Sequence, residues 1–350
     1  MPPRVSILLP NLNHRRFLEE RLASILGQTF TDWELIILDS FSDDGAWEFL
    51  QAAAAADSRI VAGQAPRDGI YPNWNRCVEQ AQGEFVYFAT SDDTMTPDFL
   101  AEMVTALDAH PECDLAQCCL QGIDEHGAII PGWWRLTGAA RFLGDYYLRP
   151  HLRRAPYDGV LHCTMHTIYH SITQLLIRRR TFARAGLFPN QYGPGGDFCW
   201  GMKAGLNCDV IHVPKFLATW RIHAAQASTG YRESAAERAL MVRMVSDALA
   251  ARPPGSPAAG LAPAPLRFTY CYEYHRRAYA ESKTLLAKFR ELVRLASTEP
   301  RVAAGAIRLA LSGQRHTVDR IRQARHLLNH FGLEENLVLL PGQATPAPGP

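Results

Sequence analysis

The stretch Glu84-Phe-Val-Tyr-Phe-Ala-Thr-Ser-Asp-Asp93 decides the fold that the sequence predicts. Its aromatic and β-branched residues form a run typical of a buried strand, and the run ends abruptly in two adjacent carboxylates. In open α/β sheets, ligands bind at the carboxyl edge of the strands, so this strand brings negative charge to a binding edge. Two neighbouring carboxylates that are buried need a counter-charge, and a divalent metal carrying a phosphorylated substrate would supply it.

The same two acids also have a purely structural interpretation. Asp92 and Asp93 would then begin the next helix, because Thr94-Met-Thr-Pro-Asp98 has the composition of a helix cap followed by proline in the first turn. The two interpretations are compatible, so this stretch alone leaves the metal role open.

Strands and helices alternate around this stretch. Predicted strands are residues 5–9, 33–38, 59–62 and 84–89, and predicted helices are residues 17–26, 43–55 and 73–82. This alternation predicts an α/β protein with a doubly wound, mostly parallel sheet flanked by helices.

The chain divides into one large domain and an appendage. Residues 1–230 are predicted to form the main domain, with halves at 1–114 and 115–230. Residues 231–340 are helical in character and contain a linker rich in Pro, Ala and Gly near 251–265. The tail, 341–350, is predicted to be disordered.

Composition excludes several classes of protein. The 350 residues are 47% hydrophobic and 20% charged with a net charge of +1, which argues against a nucleic-acid-binding protein. The eight cysteines form no Cys-x-x-Cys pair, and Met1 is followed almost at once by a strand. We therefore expect reduced thiols and a cytoplasmic protein.

Two strands of the predicted sheet end in acids. Leu38 is followed by Asp39, and Thr90-Ser-Asp-Asp93 closes the strand quoted first. Because parallel strands present their carboxyl ends at one edge, we expect these distant acids to converge.

Four segments, taken as a set, resemble family 2 glycosyltransferases of the GT-A fold, which are inverting enzymes. They are Val5-Ser-Ile-Leu-Leu-Pro-Asn-Leu-Asn13; Asp39 with Ser42 and Asp44; Asp68-Gly-Ile-Tyr71 with Asn75; and Gly83 to Asp93. The resemblance covers roughly the first hundred residues and is specific only as a set. It makes residues 1–114 the half that binds a nucleotide sugar and residues 115–230 the acceptor side.

The resemblance implies a nucleotide-sugar donor, with a UDP-sugar as the first choice. The residues it assigns to the donor are Pro10, Asn13, Asp39, Asp68, Asn75, Ser91, Asp92 and Arg221. Ser40 and Phe41 replace the family's usual acid and glycine after Asp39, and this bears on which base is bound.

The resemblance also implies a Mn²⁺ or Mg²⁺ cofactor. Thr90 replaces the first acid of the family's Asp-x-Asp motif, so Asp92 becomes the principal ligand with Asp93 beside it. Trp220-Arg-Ile-His223 is similar to the family's Arg-x-His segment, which makes His223 a third candidate ligand. A single carboxylate is compatible with Mg²⁺, because this ion commonly retains waters and binds substrate phosphates.

The general base is assigned to Asp197. Gly195-Gly-Asp-Phe-Cys-Trp200 resembles the family's late acidic motif, although Gly196 stands where the family has a glutamate. Asp197 would remove the proton of the acceptor hydroxyl as that oxygen attacks the anomeric carbon with inversion. The structural alternative is that Asp197 caps the following helix.

The resemblance implies that the acceptor is a saccharide or a lipid-linked saccharide, in assembly of a surface polysaccharide or glycolipid. The alternative function is a nucleotide-sugar-binding protein of the same fold with impaired catalysis, because two family acids are replaced.

Residues 266–330 contain 13 Lys/Arg and 5 Asp/Glu, a local net charge of +8. A basic amphipathic helix here predicts either peripheral contact with an anionic membrane, at its inner face, or packing on the main domain; oligomerisation is also compatible.

Two further groups of residues have open interpretations. His162, His166 and His170 would share one face if they lay on one helix, which suggests zinc, but no acid or Cys pair accompanies them and we favour loop and acceptor-pocket histidines. Trp133-Trp134 would either stack on a sugar or form a packing corner.

Overall fold

The computed structural model describes residues 2–224, 226, 234–311, 318–342 and 344–345. A single nine-stranded sheet with the order β3-β2-β1-β4-β7-β5-β8-β6-β9 runs through it. Its strands are β1 Val5–Asn11, β2 Trp33–Asp39, β3 Ile60–Gln64, β4 Phe85–Phe88, β5 Leu115–Ile123, β6 His151–Arg153, β7 Leu175–Arg178, β8 Val210–Arg221 and β9 Leu337–Leu339.

Seven of the nine strands run in one direction. The four strands from β3 to β4 are mutually parallel, β5 is parallel to β8, and β7 and β6 run antiparallel to both of their neighbours. The predicted fold class is therefore confirmed, and the antiparallel pairings all lie in the second half of the sheet.

Helices cover both faces of the sheet. They are α1 Arg15–Leu26, α2 Ala46–Ala56, α3 Ile70–Gln80, α4 Phe99–Ala109, α5 Gly138–Leu143, α6 Tyr157–Met165, α7 Thr181–Ala185, α8 Gly196–Asn207, α9 Ala235–Ala250, α10 Pro263–Glu281, α11 Leu285–Thr298, α12 Pro300–Leu311 and α13 Arg320–His330. None of those among the described residues is both long enough and apolar enough to cross a bilayer.

Each face of the sheet supports its own apolar core. In β1, Val5, Ile7 and Leu9 pack into one core, and Leu8 packs into the core on the opposite side. This alternation follows from the two-residue period of a strand. Because β1 is covered on both faces, its sequence is a continuous apolar run rather than an alternating one.

The C-terminal region differs from its prediction at two places. The stretch predicted to be a linker is packed, since Ala258 and Leu261 are buried in a sheet core and the Ser256 hydroxyl donates to Asn207 Oδ1 (2.6 Å). The region predicted to be helical ends in β9, which pairs with β6 and extends the sheet. Most of the predicted disordered tail, and residues 227–230 of the main domain, lie outside the described residues.

The eight cysteines are all buried and unpaired. Burial raises the pKa of the Cys163 thiol, as it does for the other buried thiols such as Cys118. They therefore behave as small apolar side chains of the core.

Candidate active site

The carboxyl ends of β1, β2 and β4 lie side by side. Asn11, the last residue of β1, is in register with Asp39, the last residue of β2. The Ser91 hydroxyl, just beyond β4, donates to the carbonyl oxygen of Pro10 (3.0 Å). The structure therefore brings Pro10, Asp39 and Ser91 to one edge of the sheet.

Asp39 organises the loops at this edge. Its carboxylate is fully buried and accepts hydrogen bonds from Asn11 Nδ2 (2.8 Å), the Ser42 backbone N–H (2.7 Å) and the Ser42 hydroxyl (2.6 Å). Asn13 Nδ2 in turn donates to Asp43 Oδ1 (2.9 Å). Asp39 and Asn13 thus hold the two loops together, and their contacts with a nucleotide stay a prediction.

Phe41 is a feature that the sequence did not explain. Its φ is +53°, in the left-handed region that favours glycine, and the residue is 53% exposed. The resemblance places a glycine in this loop. The loop thus keeps a glycine-like conformation while presenting an aromatic ring to solvent.

Asp92 and Asp93 point in different directions. Asp93 is buried; its Oδ1 accepts from the Arg221 backbone N–H (2.8 Å) and its Oδ2 from the Thr90 hydroxyl (2.7 Å). Burial, and next the carboxylate of Asp92, raise the pKa of Asp93 to about 7. Asp92 is partly exposed, and only its Oδ2 has a partner among the described residues. The geometry therefore favours Asp92 over Asp93 as a metal ligand.

His223 lies directly behind Asp92. Its Nε2 is 3.0 Å from Asp92 Oδ2, and its Nδ1 is 3.2 Å from a guanidinium nitrogen of Arg16. Arginine only donates hydrogen bonds, so His223 Nδ1 is the acceptor and the ring proton is on Nε2. Nε2 therefore donates a hydrogen bond to Asp92. As arranged here, His223 is a hydrogen-bond donor that orients Asp92.

A divalent cation fits Asp92 better than it fits the full predicted set. Two ligands that Mg²⁺ holds at right angles, each at about 2.1 Å, lie about 3.0 Å apart, which is the spacing of Asp92 and His223. Nε2 becomes available only if the exposed side chain of Arg16 withdraws. In the part of the chain that is described, no three His, Cys, Asp or Glu side chains cluster to hold an ion. Asp92 Oδ1, in contrast, can bind a cation without any movement of Arg16.

Arg221 is a structural cation in this arrangement. Its side chain is 1% exposed; Nε donates to the Asp92 carbonyl oxygen (2.7 Å), and a terminal nitrogen pairs with Glu20 (2.5 Å). The other terminal nitrogen donates to the carbonyl oxygens of Asp124 and Glu125. The predicted contact with diphosphate is not available here, because Arg221 fixes the backbone that carries Asp92.

Asp197 lies in the first turn of α8 and is held by Tyr71. Its Oδ1 accepts from the Tyr71 hydroxyl (2.9 Å) and from the Phe198 backbone N–H (2.7 Å). The side chain is partly exposed, and burial raises the pKa of its carboxyl group. Asp197 is not the cap of α8, because Gly195 is the N-cap and no side chain caps the helix there; the base role stays a prediction. A carboxylate of raised pKa with an accessible edge is suited to accept a proton.

Tyr71 occupies the space that a side chain at position 196 would need. A Cβ on Gly196 would lie 2.4 Å from the Pro189 carbonyl oxygen and 2.5 Å from the Tyr71 ring. Two residues along α3, Asn73 Nδ2 donates to the carbonyl oxygen of Leu38 at the end of β2 (2.9 Å). The first turns of α3 therefore join the strand edge to Asp197.

Asp68 and Asn75 both have protein partners away from Asp39 and Asp92. Asp68 forms an exposed ion pair with Arg76. Asn75 Nδ2 donates to the Phe188 carbonyl oxygen (2.9 Å), and Asn75 Oδ1 accepts from the Phe188 N–H (3.0 Å). Asn75 thus fastens the loop before α8, and both donor-site assignments stay predictions without a contact at the edge.

The structure bears on both groups with open interpretations, and an acceptor-pocket role for the histidines stays a prediction. Helix α6 ends before His166, so the three histidines do not share a helical face. Burial lowers the pKa of His162 to about 3 and that of His170 to about 4. Trp133 and Trp134 are buried, Trp133 against Trp220 and His170. The packing-corner interpretation describes them.

Sequence reasoning missed Arg16 and the part played by Tyr71. Tyr71 was within a quoted motif, and the loss of a glutamate at position 196 was a signal that another group must hold Asp197. Arg16 had no signal, because one arginine at the start of an amphipathic helix is ordinarily a solvated residue.

Comparison with known proteins gives a consistent result. A sequence model described as glycosyl transferase family 2 matches residues 6–181. The putative teichuronic acid biosynthesis glycosyltransferase TuaG of Bacillus subtilis is 36% identical over 103 residues, 29% of this chain and 41% of that protein. A GalNAc(5)-diNAcBac-PP-undecaprenol beta-1,3-glucosyltransferase of Campylobacter jejuni is 33% identical over 104 residues, 29% of this chain and 34% of that protein. The chain thus spans less than half the length of these curated relatives.

The fold is also found among solved structures. The crystal structure of S. aureus TarS 1–349 in complex with UDP-GlcNAc superposes with a TM-score of 0.62 at 14% identity, covering 94% of this chain and 92% of that chain. At this identity the match concerns the fold alone.

Proposed function

This chain belongs to glycosyl transferase family 2, and we propose that it is an inverting glycosyltransferase whose donor is a nucleoside diphosphate sugar. A UDP-sugar is the first candidate for that donor. The observation that carries the proposal is the pair of acids described above. Asp92 Oδ1 has no partner in the described part of the chain and lies at the carboxyl edge of the parallel strands. Asp197, in the first turn of α8, accepts a hydrogen bond from Tyr71. The first acid suits a donor diphosphate and its cation, and the second suits an acceptor hydroxyl.

The donor side is supported by its position and by its charges. Ligands of doubly wound sheets bind beyond the carboxyl ends of the strands, where Pro10, Ser91 and Asp92 lie. A bound Mn²⁺ or Mg²⁺, held by Asp92 and by His223 once Arg16 moves, would neutralise the charge that develops on the departing diphosphate. Arg16 is exposed and adds a positive charge at the same place. TarS, a protein of this fold, binds UDP-GlcNAc, and this favours UDP over other nucleotides.

The acceptor side carries the proton transfer. Asp197 takes the proton of the acceptor hydroxyl as that oxygen bonds to the anomeric carbon and the bond to the diphosphate breaks. The Tyr71 hydroxyl donates to Asp197 Oδ1 and leaves Oδ2 for the acceptor. Burial favours the protonated acid, so Asp197 is a stronger base than an exposed aspartate.

The acceptor is proposed by chemical class. The Campylobacter relative is named for an undecaprenol-linked saccharide, and the Bacillus relative for teichuronic acid. We propose that the acceptor is a saccharide, free or lipid-linked, in assembly of a surface polysaccharide or glycolipid at the cytoplasmic side.

A thermal-shift panel tests the donor. UDP-, GDP-, dTDP- and CDP-sugars are added with and without Mn²⁺; the true donor raises the melting temperature, because a ligand that binds only the native state stabilises it by mass action. We expect the largest shift for a UDP-sugar with Mn²⁺, and its loss in Asp92→Asn. Equal shifts with and without the metal would remove the metal assignment.

Donor hydrolysis separates the enzyme from the alternative of a binding protein with impaired catalysis. Thr90 and Gly196, which replace two family acids, keep that alternative open. Slow release of UDP in the presence of Mn²⁺, and its loss in Asp197→Asn with donor binding retained, would support the enzyme. Binding without any release of UDP would support the alternative.

A further inference from the structure

Helix α11 is attached to the protein by a narrow inner face. Leu295 is buried in a small apolar cluster with Cys271 and Tyr272 of α10 and with Val302 of α12. The only acid of α11, Glu291, turns inward, where its carboxylate lies 3.6 Å from His275. These contacts fix which side of α11 faces solvent.

The outer face of α11 is an exposed apolar stripe. It consists of Leu285, Leu286, Phe289, Leu292 and Val293, which are 49–86% exposed. Successive helical residues are about 100° apart, so these five fall within about a third of the circumference. An isolated exposed leucine is ordinary, but a contiguous stripe of this kind marks a surface for interaction.

Basic residues border the stripe on both sides. By the same helical spacing, Lys288 lies along one border and Arg290 along the other, with Arg294 beyond it. Lys283 is exposed just before the helix begins. Residues 283–294 therefore carry four basic side chains and one acid. The acid, Glu291, faces away from the stripe and lies 3.6 Å from Arg294, so Lys283, Lys288 and Arg290 are the cations that it does not pair with.

We propose that the outer face of α11 binds an anionic membrane surface. A helix lying in a bilayer interface needs an apolar face that enters the acyl boundary and basic flanks that meet the lipid headgroups. Lysine and arginine stems can cover apolar surface while their charges stay in water. The charges complement an anionic lipid surface directly.

This surface adds a location to the proposed function without depending on it. A catalytic sheet held at a membrane would meet a lipid-linked acceptor at high local concentration. Binding to vesicles is measured without donor or acceptor, so it succeeds or fails independently of the glycosyl transfer.

The test measures cosedimentation with vesicles of phosphatidylcholine, with and without phosphatidylglycerol, at low salt. The unsubstituted protein is expected to bind only the anionic vesicles, and added salt is expected to release it. In the variant Leu285→Gln/Phe289→Gln/Leu292→Gln, binding is expected to be lost, while glutamine preserves helix propensity. The matched control, Val61→Gln/Ile129→Gln/Leu136→Gln, removes side chains that are 56–69% exposed elsewhere and should bind normally.

A series of charge substitutions measures how much the basic side chains contribute to vesicle binding. Each basic side chain near an anionic surface contributes about a factor of five, so Lys283→Gln/Arg290→Gln should weaken binding about 25-fold. Circular dichroism confirms that each variant is folded. Equal binding to neutral vesicles, no binding to either kind, or loss of binding in the control variant would each overturn the proposal. So would concentration-dependent self-association abolished by the α11 substitutions, because the stripe would then be an interface between copies.

Discussion

Replacing Tyr71 by phenylalanine isolates one hydrogen bond at the proposed base. The substitution keeps the ring that packs over Gly196 and removes only the hydroxyl that donates to Asp197 Oδ1 at 2.9 Å. A hydrogen bond to a charged group is worth about 1.5–3 kcal/mol. The same hydroxyl also lies 2.7 Å from the carbonyl oxygen of Pro194, so its single proton is shared and the lower figure applies.

The direction of the pKa change follows from which protonation state of Asp197 the Tyr71 hydroxyl stabilises. The Tyr71 hydroxyl donates to the carboxylate, so its loss favours the protonated acid and raises the pKa of Asp197. About 1.5 kcal/mol corresponds to about one pH unit. The acidic limb of kcat against pH should therefore move about one unit higher in Tyr71→Phe, with KM for the donor nearly unchanged.

The assay is the pH dependence of sugar transfer, with two controls. Tyr146→Phe removes a hydroxyl from a tyrosine that is 43% exposed and should leave the profile in place. Asp197→Asn should abolish transfer at every pH while donor binding persists. An unchanged acidic limb in Tyr71→Phe would refute the positioning role, and a parallel loss of donor affinity would move Asp197 to the donor side.

Three other substitutions test particular contacts. Asp92→Asn should lower metal-dependent transfer about 100-fold or more, since a catalytic metal contributes several kcal/mol, and the melting temperature without ligands should change little; normal turnover with Mn²⁺ would contradict the assignment. Phe41→Gly should raise the free energy of unfolding by about 0.5 kcal/mol in urea titrations, because relief of the left-handed strain exceeds the entropy that glycine costs; a clear loss of stability would show that the ring makes contacts. Asn75→Ala should destabilise the fold by about 2 kcal/mol through two lost bonds to Phe188, with donor affinity retained; weaker donor binding at full stability would restore its predicted donor role.

The first half of the fold is predictable from its sequence. Strands β1 to β4 were placed within about two residues of their observed ends, which is the usual uncertainty of such boundaries. Buried parallel strands are apolar throughout and stop at polar residues, so the local sequence indicates both the strands and their ends. The shared edge of Asp39 and Asp92 followed from topology alone.

The second half resists the same reasoning. Strand β6 has the sequence His151-Leu-Arg153 and is buried, and the charge of Arg153 is compensated by an ion pair with Asp158 (2.7 Å). Hydropathy gives no sign that such charged residues lie inside. Strand β9 is three residues long and follows helices, and its partner is nearly 200 residues away, so no local pattern indicates the pairing.

The candidate site was predicted by residue type better than by orientation. Asp39, Asp93 and Arg221 have protein partners for their polar atoms, and their predicted site roles stay predictions. Which way a carboxylate points depends on donors that are distant in sequence, such as Ser42 for Asp39. For Asp92 the decisive neighbour is His223, whose own orientation depends on Arg16.

The pairing of β9 with β6 has a consequence for biosynthesis. While the ribosome is still adding residues 154–336, the outer edge of β6 has no partner, and its backbone groups are open to pairing with other nascent chains. Translation therefore leaves this part of the sheet unfinished until residues 337–339 emerge, and chaperones that shield unpaired edges would act during that interval.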